Sequence, residues 1–198
     1  MSILNKIIEC EIEYLKCFCK ANEQQNFIRF QDNLMPDMYC HNYTWVKSIN
    51  DDNALLKLIE SEINYSKNAG KNFCLIRCHI PIGNSILTQL AQLPHKPEVS
   101  LSGYYVFGVS NLPNLSIIKD CSVVKVKNDE MIEDFAVSPQ NQRKGYGTTI
   151  LKSLIEIALE RDADIVYSET DEGDAAKEMY KKCGLFKMND FTDLLFNF

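Results

Sequence analysis

Long apolar runs are missing from this 198-residue sequence, whose uninterrupted apolar stretches are as short as Tyr104 to Phe107. A bilayer span needs roughly 18 consecutive apolar residues, so no membrane-spanning helix is expected. An export leader is not expected either, because Glu9, Glu11 and Glu13 stand where its apolar segment would have to lie. Positive charge is in deficit: 21 Lys and Arg face 27 Asp and Glu, a net charge of -6. Affinity for duplex nucleic acid comes largely from counterion release at a concentrated basic face. Lys125, Lys127, Arg143 and Lys144 make only a small local cluster, so nucleic acid is not expected as a partner. Internal repeats and low-complexity tracts are absent.

Cysteine, by contrast, is plentiful. The eight cysteines are spread over a chain large enough to build a core without disulfide staples. They read as reduced thiols and point to a cytoplasmic protein. No metal site is predicted. The nearest grouping is Cys74, Cys78 and His79, but Cys74, Ile76 and Cys78 alternate onto one strand face while His79 points the other way. Cys17 and Cys19 sit two apart on a helical pattern, where side chains diverge.

With 45% hydrophobic and 24% charged residues, the chain reads as one globular domain with an appendage. Leu4, Ile7, Ile8, Ile12, Leu15, Phe18 and Cys19 recur at three- and four-residue spacing, which predicts an N-terminal amphipathic helix. Residues Ala21 to Asn33 read as a polar connector. Tyr43 to Ile49 predicts a short strand. A helix capped by Asp51 or Asp52 follows, ended by Asn68 to Gly70. Phe73 to Ile80 reads as a strand, Ile86 to Leu93 as a helix, and Pro94 to Pro97 as a loop. Strands are predicted at Gly103 to Val109, Ser122 to Lys127 and Met131 to Val137, joined into an antiparallel meander with a hairpin turn at Asn128-Asp129. A helix at Tyr146 to Arg161, a strand at Ile165 to Ser168, a helix at Asp174 to Lys182, a Cys183-Gly184 stop and terminal strand material complete the pattern.

Gln142-Arg143-Lys144-Gly145-Tyr146-Gly147 lies between a strand and a helix start, where free N–H groups and the positive dipole end favour an anion. Gly145 and Gly147 would let the main chain approach phosphate oxygens, Arg143 and Lys144 add charge, and Thr148 adds a hydroxyl. A Walker loop needs Gly-Lys-Ser or Gly-Lys-Thr, which the sequence does not contain. A Rossmann loop needs a third glycine where Ile150 stands, although Asp164 lies at about the distance of a ribose ligand.

The remaining pattern, Gln/Arg-x-x-Gly-x-Gly/Ala, resembles the loop with which the GNAT acetyltransferases grip the pyrophosphate of coenzyme A. The preceding Phe135-Ala136-Val137-Ser138-Pro139 is similar to the strand end of that family. Ala176-x-x-Met179-Tyr180-Lys181-Lys182-Cys183-Gly184-Leu185 resembles its second motif. The resemblance covers about residues 120 to 187. Gly173 takes the place of the family's Asn, and Leu185 that of its Phe.

The resemblance implies an α/β GNAT fold, a mixed and mostly antiparallel central sheet flanked by helices, with an extra N-terminal helix. It implies residues 1–33 as helix and connector, 34–119 as the acceptor-side half and 120–198 as the acetyl-CoA-binding half. The implied activity is direct acetyl transfer from acetyl-CoA to a primary amine. A GNAT-like module that binds acyl-CoA without turnover is the alternative.

Main-chain groups of Phe135, Ala136 and Val137 would align the donor, and Gln142, Arg143, Lys144, Gly145, Tyr146, Gly147 and Thr148 would hold the cofactor. Tyr180 would be the general acid for the departing thiolate. Glu133 shares the strand parity of Phe135 and Val137 and would be the base, with Glu169 or an ordered water as rivals. His41, His79 and His95 are assigned no catalytic role. The expected acceptor is a small, modestly cationic amine ahead of a protein, with room for a homodimer.

Overall fold

The computed structural model describes residues 2–108, 123–126, 129–132 and 136–198, and for 123–126 and 129–132 the backbone alone. The elements are α1 (Ile3–Lys16), β1 (Lys20–Glu23), β2 (Phe27–Gln31), β3 (Tyr43–Val46), α2 (Asp52–Asn68), β4 (Phe73–Cys78), α3 (Asn84–Leu90) and β5 (Glu98–Phe107). They continue with β6 (Val123–Val126), β7 (Asp129–Ile132), α4 (Tyr146–Glu160), β8 (Ile165–Asp171), α5 (Ala176–Lys182) and β9 (Leu185–Asn197). The chain divides into two compact units. One comprises Met1–Tyr14 with Gly103–Asn189, the other Leu15–Ser102 with Asp190–Phe198. The divisions fall at 14/15, 102/103 and 189/190, whereas the sequence suggested a first boundary at 33/34.

In the unit built on Leu15–Ser102, the strand order is β1-β2-β3-β4-β9. β1 pairs antiparallel with β2 from Lys20↔Gln31 to Glu23↔Ile28, so the stretch read as a connector is a hairpin. Its β1 strand, Lys-Ala-Asn-Glu, is largely exposed and carries no apolar alternation, which is why periodicity did not reveal it. β2 then runs antiparallel to β3, and β3 runs parallel to β4 through the α2 crossover. Asp51 caps α2, its carboxylate accepting from the Ala54 N–H at 2.8 Å. Gly70, with φ 70°, follows the helix end in the left-handed conformation that terminates helices.

Leu55, Ile59 and Ile63 of α2 pack against Cys74, Ile76 and Cys78 of β4 and Leu194 and Phe196 of β9. Burial pushes the Cys74 thiol up to about 11 and the Cys78 thiol to about 12. His79 stacks on Trp45 with ring centroids 4.4 Å apart and on Phe191 at 5.0 Å. A bidentate pair from Arg77 to Asp193 lies on the adjoining strands β4 and β9.

Within the unit built on Gly103–Asn189 the order is β5-β8-β7-β6. β6 and β7 are an antiparallel hairpin whose register closes at Val126↔Asp129, so Asp129 is already a strand residue. The predicted turn residue Asn128 lies outside the described residues. β7 runs parallel to β8 by way of α4. The three-strand meander is therefore corrected: β5 neighbours β8 rather than β6. β5 also begins at Glu98, five residues before the predicted start; its first residues alternate polar and apolar, with the apolar Val99 and Leu101 exposed. Leu151, Leu154, Ile155 and Ala158 of α4 form one core with Tyr105, Phe107, Val166, Tyr180 and Cys183. The buried Tyr167 hydroxyl donates to Glu11 of α1 at 2.8 Å, which ties the N-terminal helix to this unit. Among the described residues no helix is long and apolar enough to cross a membrane.

Candidate functional site

The chain between β7 and α4 carries most of the predicted site. Ala136 and Val137 are not in a strand, contrary to the expectation that it runs to Val137. Ser138-Pro139 begins a 3-10 turn, Pro139–Asn141, and proline at its first position favours that turn. Asn141 bonds Ser138 Oγ at 3.1 Å, and Lys144 Nζ donates to Asn141 Oδ1 at 3.3 Å. Gln142 turns back, its Nε2 donating to the Val137 carbonyl at 3.1 Å. Its amide is therefore a brace between the loop and the end of the preceding segment. Glu133 and Phe135 lie outside the described residues.

Arg143 and Gly145 both adopt positive φ, 62° and 88°. Residues of this kind turn successive main-chain N–H groups toward a common concavity. Such a concavity would lie at the N-terminus of α4, where the first-turn N–H groups have no acceptor within the helix and the dipole is positive. Arg143, Lys144 and Tyr146 are exposed beside it, and Gly147 and Thr148 are half-buried in the first turn. A Cβ on Gly145 would meet nothing within 4 Å, so this glycine is required by its dihedral angle and leaves open space at the concavity.

Gly147 also has a packing task. A Cβ there would lie 2.9 Å from Met179 Sδ and 3.7 Å from Val137 Cγ2, so Gly147 lets α5 and the Val137 side chain approach α4. Cys183 Sγ, just past the end of α5, reaches the Thr148 carbonyl at 3.8 Å. The donor set of the concavity, main-chain N–H groups with two cationic side chains, fits a diphosphate, and the missing Cβ leaves room for one.

The same α5 presents Tyr180. Its ring is buried edge-on to Tyr105, with centroids 5.5 Å apart. Ser168 Oγ donates to the Tyr180 hydroxyl at 3.0 Å, and that hydroxyl reaches the Glu169 carbonyl at 3.5 Å. Burial raises the phenol above its ordinary range, and the nearby Asp174 and Glu169 charges add to this although the Ser168 bond opposes it. Tyr180 therefore holds its proton at neutral pH, as a general acid must. Ser168 was not identified from sequence, because nothing in strand periodicity distinguishes it from a core serine. The Glu169 side chain is half-buried on the same strand.

Beyond it, Glu172 accepts from Tyr105 at 2.9 Å and pairs with Lys187 at 3.2 Å. Burial works to push its pKa up, but those hydrogen bonds and the lysine charges hold the carboxyl below its usual range. At the position of the family's Asn, Gly173 donates its N–H to Asp171 Oδ1 at 2.6 Å.

Residues 116–185 match the acetyltransferase (GNAT) family. No curated protein matches the chain. A conserved protein of unknown function from Staphylococcus epidermidis has a similar structure, with TM-score 0.69, 14% identity, and 89% of this chain and 92% of that one covered. A GCN5-related N-acetyltransferase from Kribbella flavida has the same TM-score of 0.69 at 9% identity, with 100% and 96% covered. Another from Sphaerobacter thermophilus has TM-score 0.59 at 8% identity, with 88% and 81% covered. Such identities speak to fold, and the fold they share is the one expected from the sequence. Residues 116–185 thus match the GNAT acetyltransferase family, and the chain has the fold of the GNAT acetyltransferases.

Proposed function

We propose that this protein transfers an acetyl group from acetyl-CoA directly to the nitrogen of a small primary amine. The observation that carries the proposal is the paired left-handed backbone of Arg143 and Gly145 at the start of α4, an anion cradle one helix contact away from the protonated phenol of Tyr180. Bound acetyl-CoA would supply the thioester carbonyl. The chain would do the rest. Main-chain N–H groups of Gly145 to Thr148, with Arg143 and Lys144, hold the diphosphate.

The Val137 carbonyl is already engaged by Gln142, which leaves its N–H, with the main-chain groups of Phe135 and Ala136, to orient the acyl donor. Tyr180 Oη gives its proton to the departing sulfur, and the Ser168 hydroxyl, donating into Oη, stabilises the charge that develops there. The amine loses its proton to Glu133, to Glu169 or to an ordered water. The net charge of -6 favours approach of a cationic acceptor, so its apparent KM rises with ionic strength.

A panel of amines incubated with acetyl-CoA and followed by free-thiol release tests the proposal. Polyamines and amino-acid-derived amines are expected to release thiol ahead of acidic amines. Binding of coenzyme A with no thiol release from any amine would support the acyl-CoA-binding module instead. Absence of binding at millimolar cofactor would remove both.

A further inference from the structure

The β1–β2 hairpin ends its register at Lys20↔Gln31, so the next residues outward, Cys19 and Asp32, face each other across its open end. His41, at the end of the 3-10 turn Tyr39–His41, comes back to the same place. One donor atom from each of Cys19, Asp32 and His41 lies within 4.8 Å of the other two. We propose that Cys19, Asp32 and His41, brought together at the open end of this hairpin, form a binding site for a zinc-class divalent metal ion.

The arrangement is braced as a metal site needs to be. Asp32 Oδ1 accepts the Leu34 N–H at 2.8 Å and the Met35 N–H at 3.1 Å, which fixes the carboxylate, while Oδ2 lies 2.9 Å from His41 Nδ1. Asn42 accepts from the Asp32 N–H at 3.1 Å and donates to the Met35 and Met38 carbonyls, which fastens the loop that carries the imidazole. The His41 ring rests on Phe18 with centroids 4.3 Å apart. Cys19 and Asp32 are buried and His41 is half-buried, so an ion would sit at the edge of the fold with access for a solvent ligand.

The donor types select the metal. Thiolate and imidazole suit zinc and its neighbours and are poor partners for magnesium or calcium, which take oxygen donors. Three protein ligands with a water in the fourth position complete a tetrahedron. On binding, the Cys19 S–H bond breaks, its proton goes to solvent, the sulfur–metal bond forms, and one thiolate and one carboxylate balance the two positive charges.

The same three residue types occur in thiol-nucleophile triads, but the details run against that use. Cys19 Sγ donates to the His41 main-chain carbonyl at 3.3 Å, not to the ring. Burial, followed by the Asp32 charge, pushes this thiol up to about 12, so without a cation it is not a nucleophile.

The test uses the full chain, stripped with a chelator and titrated with Zn²⁺ or Co²⁺ alone. One equivalent is expected to bind, Tm is expected to rise with Zn²⁺, and the Co²⁺ form is expected to show a thiolate-to-cobalt charge-transfer band in the near ultraviolet. Cys19→Ser and His41→Gln are each expected to weaken binding by at least about 100-fold, the Cys19→Ser protein also losing the charge-transfer band, while Cys17→Ser keeps all three properties. Two variants are used so that a folding failure in one leaves the other readable. A wild type that binds no metal, or a Cys19→Ser protein with an unchanged charge-transfer band, overturns the proposal.

Discussion

Tyr180 and Arg143 show how much depends on single side chains. Tyr180→Phe keeps the ring in its edge-on contact with Tyr105 and removes only the hydroxyl that Ser168 meets at 3.0 Å. Turnover is expected to fall by about 10- to 1000-fold with the dissociation constant for coenzyme A unchanged. Steady-state rates set beside calorimetric binding check this, and an unchanged kcat would remove Tyr180 from the reaction. Arg143 is an L-residue held at φ 62°, where a side chain costs about 1 kcal/mol relative to glycine. Arg143→Gly is expected to hold or raise Tm in the apo protein while weakening coenzyme A binding. A drop in apo Tm would show that the arginine side chain, and not its backbone, matters to the fold. Gly145 gives no such clean separation, since any side chain at φ 88° strains the loop that is being tested.

Among the elements, α2 carries a charge that the core has to accommodate. Glu62 is 1% exposed; it accepts from Arg29 of β2 at 2.6 and 2.8 Å and from Thr44 of β3 at 2.6 Å. Arg29 in turn lies over the Tyr65 ring, 3.7 Å from its centroid. Glu62→Ala strands a half-buried guanidinium and is expected to cost about 3–5 kcal/mol, read from urea denaturation midpoints. A loss below about 1 kcal/mol would mean the ion pair is solvated in practice.

The elements that sequence revealed are those whose apolar residues recur with a clear period, such as α1, α2 and α4, or form an unbroken buried strand, such as β4. The β1–β2 hairpin escaped because Ile28 and Phe30 alternate with Arg29 and Gln31 for only five residues, beside a partner strand whose one apolar residue, Ala21, is only half-buried. In the candidate site, the glycines and cations of the α4 loop were legible as residue types. The Gln142 brace, the Ser168 donor and the Met179 contact that Gly147 admits were not, because each joins residues through tertiary packing. Cys19, Asp32 and His41 were hidden by the same cause, being separated by thirteen and nine positions with no metal-ligand spacing.

Taken as a whole, the molecule should lose stability in mild acid through His79. Burial, with Arg77 nearby, lowers this imidazole from 6.5 to about 3. Above pH 6.5 both folded and unfolded chains keep it neutral, and its contribution is fully present. As pH falls from 6.5 toward 3 the unfolded chain takes up a proton that the folded one refuses, and stability declines by about 1.4 kcal/mol for each pH unit from this group. His79→Phe keeps both ring contacts, with Trp45 and Phe191, and is expected to flatten the pH dependence of the urea midpoint between pH 6.5 and 4. Parallel curves for the two proteins would show that the carboxylates alone set the acid limit.

The division of the chain has a consequence for its birth on the ribosome. Both compact units are interrupted in sequence: one needs residues 1–14 together with 103–189, the other 15–102 together with 190–198. Neither can be completed by a nascent chain that has emerged only as far as its middle. Glu11 must wait for Tyr167, 156 residues downstream, and at about 5–20 residues per second that interval lasts on the order of ten seconds or more. Throughout it the apolar face of α1, including Ile7 and Cys10, has no finished core to enter. Completion of one unit waits on residue 189 and of the other on residues 190–198, and a break anywhere between residues 15 and 189 leaves neither fragment with a whole unit.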